Sequence, residues 1–156
     1  ASDLSLPVPI RYFIKNRIKI MSIACGTWHN LAIDQGYNVY SWGSSTRGQC
    51  GNRVSIGVWE GDNKRYYHPE LIPFFKNVKV DKIDCGHIHS YCRTLKDKKH
   101  YLFGHNANNE CITYDNRKHV SIPHYIDDIV TERTNGMRIF KVFLGYNNTK
   151  IIVSDE

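Results

Sequence analysis

Eight histidines and five cysteines give this chain the side chains for metal or thiol chemistry. The densest grouping is Cys85, His87 and His89. On an extended strand alternate residues share a face, so these three would stand together as zinc ligands. Cys25 and His29 occupy the same setting, with threonine at position 27 in place of a histidine. These residues therefore read more simply as packing and hydrogen-bonding parts of a repeated unit. Cys92, close to His89, is the nearest sequence pairing of a nucleophile with a base. It falls in an apolar run expected to be buried, where a thiol is inert. Gly43-Ser44-Ser45-Thr46-Arg47-Gly48 lacks the Lys-Ser/Thr ending of a phosphate-binding loop. Asp127-Asp128 reads as polar linker rather than as a catalytic pair. No catalytic residue, metal ligand or cofactor is assigned, and the chain is not expected to be an enzyme.

The elements that carry these residues recur along the chain. Ile23-Ala24-Cys25-Gly26-Thr27-Trp28-His29-Asn30 aligns with Ile83-Asp84-Cys85-Gly86-His87-Ile88-His89-Ser90. A weaker copy is Val142-Phe143-Leu144-Gly145-Tyr146-Asn147-Asn148-Thr149. The glycines are 60 and 59 residues apart. Val39-Tyr40-Ser41-Trp42-Gly43-Ser44 matches His100-Tyr101-Leu102-Phe103-Gly104-His105, and Pro7/Ile10, Pro69/Ile72 and Pro123/Ile126 precede the three units. Short apolar runs at 30–33, 90–94 and 150–153 read as strands, and 35–38 and 96–99 as hairpin turns. One helical turn is expected within 125–130. Short strands at this period indicate a propeller or solenoid. Gly43 and Gly104 would allow close approach of neighbouring blades, with the Trp42 and Phe103 rings filling the space between them.

Composition sets outer limits. The chain has 156 residues, 41% hydrophobic and 23% charged, which is ordinary for a globular domain. Lys plus Arg is 21 against 15 Asp plus Glu, a net charge of +6. That bias suits nucleic acid, nucleosome or acidic-protein partners without requiring any of them. An odd cysteine count with no Cys-x-x-Cys pair points away from a disulfide framework and toward a reducing compartment, cytoplasm or nucleus. No apolar stretch approaches the roughly 18 residues of a membrane helix.

The run at 23–32, the Val-Tyr-Ser-Trp-Gly-Ser at 39–44 and Gly48-Gln49-Cys50-Gly51 together resemble the regulator of chromosome condensation repeat. Gly61-Asp62, Pro69 and Ile72 continue the signature. The second unit keeps Cys-Gly-x-x-His and Phe-Gly but shows Asn109-Glu110-Cys111 in place of the Gly-Gln segment. The third has Asn148 at the histidine position. The resemblance implies an all-β fold, a partial β-propeller of about two and a half blades of four-stranded antiparallel sheet. Its units would span about 7–62, 69–115 and 123–156. Members build closed rings of about seven blades, so the remaining blades or an assembly partner are expected to complete this one.

The same resemblance implies work by protein–protein contact. One reading is guanine-nucleotide exchange on a Ran-like small GTPase. Another is a scaffold or targeting module without exchange activity, and a third is nucleosome or DNA contact through Arg47, Arg53, Lys64 and Arg65. The insertion 52–60 is unusually apolar for a loop, and aromatic and Arg residues commonly anchor interfaces. Arg47, Arg53, Trp59, Arg65, Tyr66 and Tyr67 are therefore the expected partner-binding residues.

Overall fold

The computed structural model of the chain describes residues 7–52 and 65–155, with the backbone alone for 65–67. The first sheet runs in the order β1 (Ile20–Cys25), β2 (His29–Asp34), β3 (Val39–Ser44) and β4 (Arg65–Leu71). The second repeats it with β5 (Val80–Cys85), β6 (His89–Thr94), β7 (His100–His105) and β8 (His119–Tyr125). A third sheet holds β9 (Arg138–Leu144) and β10 (Thr149–Ser154). All neighbours pair antiparallel, which gives two four-stranded blades and the first two strands of another. This is the partial propeller that the repeat implies.

The repeats agree down to register. His29 lies opposite Gly43 and His89 opposite Gly104. The pairing of each third strand with its outer neighbour slips beside the aromatic, between Ser41 and Gly43 and between Leu102 and Gly104. At those slips Gly43 and Gly104 have φ of +105° and +116°, a region that a side chain strains to enter. A Cβ on Gly104 would also lie 2.5 Å from the Ile88 carbonyl oxygen. The close approach thus comes chiefly from the adjacent strand of the same sheet, not from the neighbouring blade as expected. The hairpin at 35–38 is closed by Asp34, whose carboxylate accepts from the Gly36 and Asn38 amides at 2.8 and 2.9 Å.

The main core lies between the first two sheets. Leu31, Ile33 and Val39 meet Ile72, Phe75, Val80, Leu102 and Phe103, all buried. Each such side chain contributes roughly 1.5–3 kcal/mol on burial. Phe103 fills the space between blades: a Cβ on Gly51 would sit 3.1 Å from its ring. Trp42 behaves differently. Its ring lies 5.8 Å from that of Phe13, on the short helix α1 (Arg11–Lys15), which the strand pattern did not reveal. Phe13 also packs edge-on against Tyr40 at 5.5 Å. Phe75, in the 3-10 turn Pro73–Phe75, meets Tyr101 in the same way at 5.5 Å. α1 thus covers the first blade as that turn covers the second.

Helix α2 (Asp127–Arg133) is longer than the single turn expected, with acidic residues in its first turn and Arg133 in its last, matching the helix dipole. Asp127 is no linker residue. Its carboxylate accepts the His100 amide at 2.8 Å, and its partial burial raises its pKa.

Candidate interaction surface

Each blade begins with a tight turn between its first two strands: Gly26-Thr27-Trp28, Gly86-His87-Ile88 and Gly145-Tyr146-Asn147. The predicted extended run Cys85–His89 does not form, because β5 ends at Cys85 and the chain reverses before His89. Cys85, His87 and His89 are therefore not three alternate residues on one strand face, and among the described residues no cluster of three His, Cys, Asp or Glu could hold a metal ion.

His29 and His89 turn inward and join blades. The Ser90 hydroxyl lies 2.7 Å from the Gln49 carbonyl and 2.8 Å from His29 Nε2. A carbonyl only accepts, so Ser90 donates to it and accepts from Nε2–H. The next blade repeats the arrangement. Thr149 Oγ1 donates to the Glu110 carbonyl at 2.6 Å and lies 3.1 Å from His89 Nε2. Both imidazoles are buried, and burial pushes their pKa values down to about 4. They are neutral structural donors.

The glycines make room for these rings. A Cβ on Gly86 would overlap the His89 ring and lie 2.6 Å from the Gly145 carbonyl oxygen. The second blade also keeps the Gly-Gln turn despite its changed residues. Cys111 N–H bonds Asn106 Oδ1 at 2.9 Å as Cys50 N–H bonds Ser45 Oγ at 3.4 Å. The Asn108 amide reaches Glu110 Oε2 at 2.9 Å as the Arg47 amide reaches Gln49 Oε1 at 2.8 Å. Asn109 and Ile112 adopt φ of +62° and +55°, the left-handed backbone that Gly48 and Gly51 adopt at +84° and +66°. Burial alone would raise the Glu110 carboxyl. Hydrogen bonds from its own and the Asn108 amide, and from His105, outweigh burial and hold it below the ordinary value.

Apart from exposed Cys25, the cysteines are equally committed to packing. Burial pushes the Cys50 thiol up to about 12 and raises Cys85, Cys92 and Cys111 as well. Cys92 lies buried on β6, as expected, without the thiolate character of a nucleophile.

What remains outward is the rim of the turns. Cys25, Gly26, Thr27, Cys85, Gly86, His87, Leu144, Gly145 and Tyr146 line a cleft of about 460 Å³ where β1, β5 and β9 adjoin. Thr27 Oγ1 lies 2.5 Å from His87 Nδ1, and the His87 ring stacks on Tyr146 at 3.9 Å. Trp28 and Tyr146 are 66% and 68% exposed. Sequence reading passed over both, since they fill the variable positions of the Gly-x-x-His turn. Their only signal was a large aromatic in a turn.

Arg47 is exposed on the turn after β3, and its guanidinium donates from Nη1 to His119 Nε2 of the second blade at 3.1 Å. Arginine only donates, so Nε2 carries the lone pair. Burial, then Arg47, His105 and Lys118, lower the His119 pKa, which favours that neutral form. Arg65, Tyr66 and Tyr67 fall on β4, with Arg65 opposite Ser44 and Tyr66 opposite Gly43. Arg53 and Trp59, like Lys64 and most of the apolar insertion, lie outside the described residues.

Two family models described as the regulator of chromosome condensation (RCC1) repeat match residues 38–93 and 20–49. An RCC1 domain-containing protein of Dictyostelium discoideum is 25% identical over 171 residues, covering 99% of this chain and 33% of that protein. The probable E3 ubiquitin-protein ligase HERC6 of Homo sapiens is 28% identical over 105 residues, covering 67% of this chain and 9% of that protein. The crystal structure of Prp20p from Saccharomyces cerevisiae, described together with its binding properties to Gsp1p and histones, aligns with a TM-score of 0.68. That alignment, at 19% identity, covers 96% of this chain and 34% of Prp20p, and it establishes the fold. The chain thus spans about a third or less of the length of these relatives.

Proposed function

Because the chain belongs to the regulator of chromosome condensation repeat family, we propose that it is a protein-interaction module that grips its partner with the turn end of its blades. The observation that carries this reading is the pair of exposed rings, Trp28 and Tyr146, projecting from equivalent turns beside the cleft. The repeat's inward histidines bond across the blades and its buried cysteines pack in the core, which supports reading the module as one that works by contact. Large aromatics on a rigid scaffold lose little entropy on binding and often dominate an interface.

Two uses of such a grip are distinguished by nucleotide. Likeness to Prp20p, which binds Gsp1p and histones, together with the small-GTPase role that the family resemblance implies, favours nucleotide exchange as one use. Gripping the nucleotide-free state would lower nucleotide affinity by linkage, without bond making. Likeness to a ubiquitin ligase favours a scaffold that recruits protein without exchange. The test is capture from lysate by the intact tagged protein and its W28A/Y146A variant, with and without GTP. A protein retained by the parent and lost by the variant supports the turn-end grip, and equal retention by both rules it out. Release by GTP, with faster nucleotide loss from the captured GTPase, would select the exchange reading. Retention indifferent to GTP would select the scaffold.

A further inference from the structure

We propose that Arg47 is the receptor for a carboxylate side chain of an acidic protein partner. The inference rests on the interaction-module reading and supplies the chemistry of the partner. Arg47 stands on a turn fixed by its own amide, which donates to Gln49 Oε1 at 2.8 Å. Its guanidinium is aimed by the bond from Nη1 to His119 Nε2 at 3.1 Å. That acceptor is a neutral imidazole, so the arginine is oriented without being neutralised.

Four cations of the described surface are held by carboxylates. Arg93 and Lys98 pair with Asp81, Lys99 with Asp97 and Arg117 with Asp115. Among the described residues Arg47 has no carboxylate partner. Its Nε and Nη2 donors form the planar fork that matches a carboxylate in two parallel hydrogen bonds.

Among the described side chains, the surroundings favour one carboxylate over a nucleic-acid backbone. A phosphate backbone calls for a row of free cations. Here Arg117 already holds Asp115, leaving Lys118 as the further charge acting on His119. Trp28 adds an apolar neighbour: its carbonyl accepts the Ser44 amide at 2.7 Å, bringing the indole's turn beside the one that carries Arg47. A turn bearing an exposed aromatic next to a turn bearing an exposed arginine suits an acidic residue flanked by an apolar one. The net charge of +6 adds long-range attraction for such a partner.

The probe is fluorescein-labelled poly-L-glutamate, titrated by anisotropy against the intact protein at two salt concentrations. R47Q is compared with K96Q, which removes an equal charge from the hairpin at the opposite end of the second blade. R47Q should weaken binding at least about fivefold more than K96Q, a coupling of about 1 kcal/mol. R47K, which keeps the charge and loses the fork, should fall between R47Q and the parent. Equal weakening by R47Q and K96Q would overturn the proposal, since only net charge would then matter. Tighter binding of a labelled DNA duplex that depends on Arg47 would overturn it in favour of nucleic acid. Were R47Q to unfold on melting, R47K decides, and parent-like affinity would refute the fork. Because the titration uses no cellular partner, a failed lysate capture leaves it standing, and its own failure leaves the Trp28–Tyr146 grip to be judged separately.

Discussion

Replacing Ser90 by alanine should loosen the joint between the first two blades. The hydroxyl is fully buried and serves two partners at once, His29 Nε2 at 2.8 Å and the Gln49 carbonyl at 2.7 Å. The substitution removes one oxygen but leaves two polar groups with no partner at that position. An orphaned buried group costs about 1–3 kcal/mol, so the loss should be about 3 kcal/mol in all. For a chain of this size that corresponds to a fall in melting temperature of roughly 6–12 °C. Urea unfolding of S90A should show a lower midpoint with an unchanged slope. Ser22, exposed on β1, provides the control, and S22A should stay within about 0.5 kcal/mol of the parent. H29A combined with S90A should lose less than the sum of the two, because each single change already breaks the same bond. A loss below about 0.5 kcal/mol for S90A, or strict additivity with H29A, would refute the joint.

Two further outcomes follow from burial. His29, His89 and His100 have pKa values pushed down from 6.5 to about 4, in each case first by burial. The unfolded chain therefore binds more protons between these limits, and stability is full above about pH 6.5 and lost as the pH falls toward 4. Each histidine contributes no more than about 3 kcal/mol to that loss. Urea midpoints measured across the range should fall with acid, and H29N, which installs the amide seen at Asn148, should flatten the slope; an unchanged slope would exclude His29 as a source. In native protein N-ethylmaleimide should modify exposed Cys25 first, while Cys50, Cys92 and Cys111 react only on unfolding. Mass spectrometry of the labelled peptides reads the order, and early labelling of Cys92 would contradict its burial.

The repeat tolerates changes of residue that keep its geometry. Asn109-Glu110-Cys111 shares only the cysteine with Gly48-Gln49-Cys50, yet both segments make the same turn and present the same carbonyl to a hydroxyl of the next blade. Asparagine enters the left-handed region more readily than most residues, and a carboxylate replaces an amide as the acceptor for an N–H. A sequence match scores these as losses. The hydrogen bonds record them as equivalents.

The chain's own residues determined the strand order, the hairpins and the repeat of about 60 residues, because these arise from local patterns. Apolar runs of strand length, turns at 35–38 and 96–99, and an aromatic-Gly pair each act within a few residues. The burial of Cys92 and the place of Phe103 between blades were legible for the same reason. Only the tertiary structure decided what the recurring histidines do. His29 and Ser90 are 61 residues apart, and nothing local says that one will donate to the other. Nor could spacing alone tell a strand from a turn at Cys85–His89, since the reversal is set by the close stacking of Gly86 against the next blade. Trp28 and Tyr146 have the composition of core residues. They face outward because the turn that holds them is shaped by the inward histidine at position 29 and its counterpart Asn148, and solvent receives what the stacked blades leave over.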